Sequence, residues 1–191
     1  MRFFSHLLLM FVVALAVGFG LSWFALSDGR LFGAYQVGPW AAWPAAGSPT
    51  PDPYTRAHSA RTGALQLGQS EGLEFIATSD SDGRPLSRSC TYRVEGTTPV
   101  ATFWTLVAED STGANIARPD GEPSMHSARL SRNEDGTATI FVSKSLSPLN
   151  WLEITGDGPF SLALTLYDTA AFGGVGSGAD TLPSIVREDC A

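Results

Sequence analysis

Four acids stand near the ends of predicted strands: Glu71, Glu109, Asp110 and Glu153. Two carboxylates at the right separation can protonate a leaving group and activate water or attack a glycan, so they define one candidate chemistry, with Glu71 and Asp110 as its named acids. A second constellation combines aromatics with a cation and an amide: Tyr54 and Arg56 at a helix start, Trp104 mid-strand, and Asn150 with Trp151 before the last long strand. Trp and Tyr offer a flat apolar face with one polar tip, and Arg and Asn add directional hydrogen bonds, the mixture found in ligand pockets. The same residues also have a packing role: Trp104 suits a core position, and Arg56 and Asn150 suit the locking of a helix and a loop onto a sandwich.

Other chemistries have thinner support. His6 lies in an apolar run, and His58 and His126 are too far apart in sequence for a zinc-ligand cluster, so no metal is expected. Asp80-Ser81-Asp82-Gly83 opens like a calcium loop, lacks the later glutamate, and reads as a turn. Ser177 sits in a glycine run where Val175 replaces the glycine that a nucleophile elbow needs. No helix pattern follows that run to hold a dinucleotide phosphate, so no cofactor is expected. Cys90 and Cys190 are the only two cysteines. A bridge between them would tie the C-terminal end to a strand, with two free thiols as the alternative.

The elements that position these residues begin with a membrane helix. From Phe3 to Leu26 the only polar residues are Ser5, His6 and Ser22, and such a length crosses a hydrocarbon core of about 30 Å. Residues 1–27 are therefore read as a transmembrane anchor, with a cleaved signal peptide as the alternative because Ala25-Leu26-Ser27 offers small residues before Asp28. Arg2 and the amino terminus favour a cytoplasmic N-terminus, which puts the remainder on the periplasmic face of the inner membrane, with the lipid itself as a partner of the helix.

Residues 28–52, with Gly38-Pro39-Trp40, Trp43-Pro44 and five further prolines or glycines, read as a linker or arm. Asp52-Pro53 starts a helix, expected to run through Ala64-Leu65 to Gly68. Period-two patterns then predict strands at 73–78, 89–95, 99–108, 124–131, 137–144 and 160–167. The strand at 99–108 reads as central with both faces covered. Asp135-Gly136 reads as the turn of a hairpin joining 124–131 to 137–144, and 172–180 as a mobile glycine-rich loop. Residues 53–191 are thus one mainly β domain, an antiparallel, jelly-roll-like β-sandwich with one short helix. The 20 glycines and 12 prolines of the 191 residues agree with a turn-rich fold. Beyond the anchor, 11 basic residues face 19 acidic ones, a net −8 that repels phosphate backbones and argues against a nucleic-acid partner.

In order and spacing, Gly38-Pro39-Trp40, Asp52 to Ala57, Glu71-Gly72, Asp80 to Gly83, Phe103-Trp104, Asp110 to Gly113, Asp135-Gly136, Asn150-Trp151-Leu152 and Gly158-Pro159-Phe160 resemble the bacterial family labelled domain of unknown function 1214. The resemblance runs from about residue 38 to Ile185 and implies a β-sandwich with no stated chemistry. Larger relatives place the domain after a second one, where this chain has a membrane helix. Val107-Ala108-Glu109 departs from an aromatic common there, and Ala117 to Ser124 lacks a usual Arg-Tyr. The expectation for function is a membrane-anchored envelope protein whose periplasmic sandwich binds a ligand or acts as a scaffold. A hydrolase of an envelope glycan or small ester, and a protein-protein interaction module, are the alternatives.

Overall fold

The computed structural model describes residues 2–28, 34–63, 67, 71–97, 101–168 and 182–190. The glycine run at 172–180 with Ser177, and Ala64, Leu65 and Gly68 at the expected helix end, lie outside the described residues.

Helix α1 (Arg2–Asp28) has a mean hydropathy of 2.4 over its apolar window, and none of that window is buried by the rest of the chain. Leu8, Met10, Phe11 and Phe19 all point away from protein. A helix that satisfies its own backbone and presents apolar side chains on every side is suited to lipid. By length and composition it is either a membrane anchor or a signal sequence.

Strands β1 (Tyr35–Val37) and β2 (Trp40–Ala42) form a hairpin on the two-residue turn Gly38-Pro39, with Gly38 at φ +57°. The segment read as an arm is therefore in part sheet. Trp40 explains why: it is fully buried and its Nε1–H donates to the Pro183 carbonyl at 2.8 Å. Helix α2 (Pro53–Thr62) starts as expected, with the Asp52 carboxylate accepting from Tyr54 N, Thr55 N and the Thr55 hydroxyl. It ends at Gly63 in the left-handed conformation, earlier than the expected Gly68, because that residue turns the chain out of the helix at no steric cost.

Strands β3 (Gly72–Ala77), β4 (Cys90–Gly96), β5 (Phe103–Glu109), β6 (Met125–His126), β7 (Ala138–Ser143), β8 (Asn150–Glu153), β9 (Ser161–Tyr167) and β10 (Ser184–Cys190) complete two sheets. One has the order β1-β2-β3-β9-β5-β6 and the other β10-β4-β7-β8. Their facing sides meet in one core of Phe75, Leu106 and Leu162 against Tyr92, Val142 and Leu152. Burying each such side chain contributes about 1.5–3 kcal/mol. The protein is thus a mainly β sandwich.

Three expectations change. The central strand is β9, buried along five consecutive residues, whereas β5 lies next to the edge and leaves Phe103 36% exposed. Asp135-Gly136 does make a tight turn, its carboxylate accepting from Thr137 N and Oγ1, yet its arms do not pair with each other. β6 pairs with β5 in one sheet and β7 with β4 and β8 in the other, so tertiary pairing overrides the local hairpin. And β8 runs parallel to β7, with Ile140 opposite Asn150, in an otherwise antiparallel fold.

That parallel pair is returned by residues 144–149 alone, where a crossover usually needs a dozen residues or more. The loop is compact because the Ser143 hydroxyl bonds the Ser145 carbonyl at 2.6 Å and because Leu149 turns into β8 at φ +65°, a conformation costly for a branched side chain.

Two clamps hold β10. Cys90 and Cys190, directly opposite in the ladder, are joined by a disulfide. Asp80, 1% exposed, accepts from Asp82 N and Arg84 N and lies 3.0 Å from Arg187 Nε of β10 and 3.1 Å from Arg84 Nε. Its neighbour Ser81 bonds Ile185 through both backbone and hydroxyl. The turn at 80–83 is thus a structural clasp.

Candidate functional site

The register separates the acids that would form a hydrolytic pair. Glu71 precedes Gly72, which is aligned with Tyr167 and through it with Phe103 at the start of β5. Asp110 follows Glu109 at the other end of β5. Glu71 is thus level with residue 102, eight strand positions from Asp110, and at about 3.3 Å each that is roughly 26 Å along the sheet, against the roughly 5–10 Å that paired glycosidase carboxylates need. Asp110 is also committed to its turn: Thr112 Oγ1, Thr112 N and Ala114 N donate to its Oδ1 and hold its pKa below the usual value.

A different acid pair shares the outer face of the larger sheet. Burial pushes Glu74 up. Glu109 is raised by burial first and then by the charges of Glu74 and Asp110. Glu74 was not singled out from sequence, where it is one polar residue in an alternating strand. It lies opposite Thr165 and Thr105, four residues from Glu109 along the ladder.

The aromatic constellation is divided by the fold. Trp104 is core, 3% exposed. Tyr54 and Arg56 are exposed on α2, whose His58 stacks on Trp43 just after β2, with ring centroids 4.4 Å apart. Burial, then Arg61, lowers the His58 pKa. That edge of the larger sheet is separated from β6, and so from His126, by β3, β9 and β5. Asn150 and Trp151 belong to the far side. The Asn150 amide donates to the Ser131 and Thr139 carbonyls and accepts from Ser131 N, locking the loop before β7 onto β8. Trp151 Nε1–H donates to Ser143 at 3.1–3.2 Å, bracing the six-residue return.

Around this return lies a cavity of about 270 Å³. Its walls carry Trp151, Met125, Leu146 and Leu149, and its charged groups are Arg118, Arg129, Glu122 and Glu153. Leu146 and Leu149, which both line it, are 81% and 76% exposed. Glu153, 6% exposed, is met by Arg118 Nε at 2.6 Å, and Glu122 by Arg129 Nη1 at 2.7 Å. Arg129 beside it lowers the Glu122 pKa.

Arg118 is delivered by the turn Arg118-Pro119-Asp120-Gly121, closed by Gly121 N to Arg118 O at 2.9 Å. Any Cβ on Gly121 would stand 2.7 Å from Glu153 Oε2, so glycine is what lets the turn approach the carboxylate. That Pro-Asp-Gly turn was the sequence signal available for the site; the partnership with Glu153 was not. A second cavity of about 440 Å³ adjoins the first through Ser131, Leu149 and Asn150 and adds Arg93 and Arg132. Four arginines, Arg118, Arg129, Arg93 and Arg132, therefore line these two adjoining cavities of an acidic protein.

A family model described as protein of unknown function (DUF1214) matches residues 71–171. No curated protein matches. The VPA0106 protein from Vibrio parahaemolyticus has a similar crystal structure, with a TM-score of 0.57 and 20% identity, covering 71% of this chain and 35% of that one. A putative uncharacterised protein from Burkholderia cenocepacia matches with a TM-score of 0.47 and 16% identity over 65% of this chain and 31% of that one. The chain thus spans about a third of the length of the solved structures it matches, and the first of them shows the shared sandwich fold.

Proposed function

Because this chain belongs to the DUF1214 family of proteins of unknown function, we propose its role from its own surface: a membrane-anchored binding module whose ligand occupies the cavity at the β7–β8 return. The single observation that carries this reading is the cavity itself, lined by two exposed leucines, Trp151 and two arginines that are ion-paired with glutamates. A strained Leu149 at its rim fits a binding role, since strained backbone concentrates at ligand sites.

The proposed placement is single-pass in the inner membrane, with the sandwich on the periplasmic side. The apolar α1 supports the anchor, and the Cys90–Cys190 bridge supports an oxidising compartment. An envelope scaffold would use the same surface.

The test is native mass spectrometry of the full chain extracted in a nonionic detergent. Wild type should carry a small molecule that a Leu146→Ser, Leu149→Ser double variant loses. A clean apo mass for wild type, with unchanged loading in the variant, would remove the cavity from the account. Alkaline phosphatase fused after Ala191 should be active, and an inactive but stable fusion would reverse the placement.

A further inference from the structure

We propose that the ligand of this cavity is an amphipathic anion, a short apolar chain ending in a carboxylate or a phosphate monoester, with Arg118 as its principal contact. The inference rests on the binding reading above and names its ligand class.

Both acids in the wall are already engaged by guanidinium groups, at 2.6 and 2.7 Å, and Glu153 is buried beneath Arg118. A cationic ligand would have to displace those pairs. The arginines are placed differently: their side chains are 61% and 57% exposed, and Arg118 is seated on the buried Glu153. Arg118 pairs with Glu153 from its Nε side, which leaves the two terminal nitrogens for a bidentate contact with an oxyanion. Such an arginine loses little freedom on binding.

The apolar half of the ligand follows from Leu146, Leu149 and Trp151, which line the same cavity. With a net −8 over the remainder of the exported chain, an anion is repelled elsewhere and meets local positive groups here. The adjoining cavity, with Arg132, extends the same surface.

The full chain in dodecyl maltoside micelles gives a site-specific test by NMR, because Trp151 sits at the cavity while Trp23 sits on the apolar helix and reports partition into detergent. Hexanoate, hexyl phosphate, hexanol and hexyltrimethylammonium are titrated while the indole N–H signals are followed. The two anions should shift Trp151 saturably and bind about tenfold or more tightly than the other two, with Trp104 unmoved. Preference between the anions identifies a carboxylate or a phosphate source.

Arg118→Gln should weaken anion binding about tenfold, Arg118→Lys should restore only part, and Arg56→Gln on α2 should leave it unchanged. An unaltered circular dichroism spectrum confirms that the variants fold. Equal binding of all four probes, or an Arg118→Gln variant that binds as wild type does, overturns the anion while the binding reading stands. A co-purified ligand that is a sugar or a cation does the same. No Trp151 response together with an apo mass overturns both.

Discussion

Leu149→Gly separates the demand of the fold from the demand of the site. Leu149 sits at φ +65° with its side chain 76% exposed, so its backbone is strained while its side chain is little packed. A branched residue in the left-handed region costs about 1–2 kcal/mol, and glycine there costs nothing in the folded state. Glycine loses about 0.5–1 kcal/mol more chain entropy on folding. The difference leaves a stabilisation of about 0.5–1 kcal/mol, or about 2 °C in Tm for a domain of this size.

Leu149→Ala keeps the strain and removes only the exposed atoms, so it should leave Tm within about 1 °C of wild type. Thermal unfolding followed by near-ultraviolet circular dichroism measures both. The glycine variant should nevertheless bind ligand more weakly, since the wall shared by the two cavities is gone. Loss of more than about 1 kcal/mol in Leu149→Gly would refute the reasoning, because the side chain would then be holding the return together.

Asp80→Ala removes a buried acceptor of two backbone N–H groups and uncovers Arg187, and should cost about 3 kcal/mol in denaturant unfolding, with β10 the first strand to exchange its amides. Gly72→Ala would place a Cβ 2.3 Å from the Leu166 carbonyl oxygen, so β3 must shift from β9 at a cost of about 1–3 kcal/mol; an unchanged Tm would contradict that approach. Glu109 has a folded pKa raised above its ordinary 4.5 by burial, Glu74 and Asp110. The folded state therefore holds its proton more tightly than the unfolded chain, giving stability that is full below the unfolded pKa and lost as pH climbs through the raised one. Glu109→Gln, neutral throughout, should gain on wild type from pH 4 to pH 7; a gain confined to pH 4 would reverse the sign.

The fold was largely legible where local chemistry and tertiary demand agree. Asp52-Pro53 started its helix because cap and first-turn residues act within one turn. The β-sandwich followed from alternation in β3, β4 and β7, since side chains two residues apart share a face whatever the partner strand. The candidate site was legible in fragments. Asn150 and Trp151 were marked, and both brace the return that carries the cavity. Tyr54, Arg56 and Trp104 were grouped with them on residue type, and the sheet order places them elsewhere.

What the amino-acid order determined by itself is whatever depends on neighbours a few residues apart: an apolar helix suited to lipid, a turn-rich β domain, an acidic surface and the caps and turns. Tertiary structure alone decided which strands pair, and hence which distant residues meet. Asp135-Gly136 turned as its residues require, yet its arms entered different sheets because β5 and β4 compete for them. Arg118 and Glu153, 35 positions apart, became partners only when a Pro-Asp-Gly turn was laid against β8. Strand pairing and long-range ion pairs are set by burial summed over the whole core, which no local window of the chain contains.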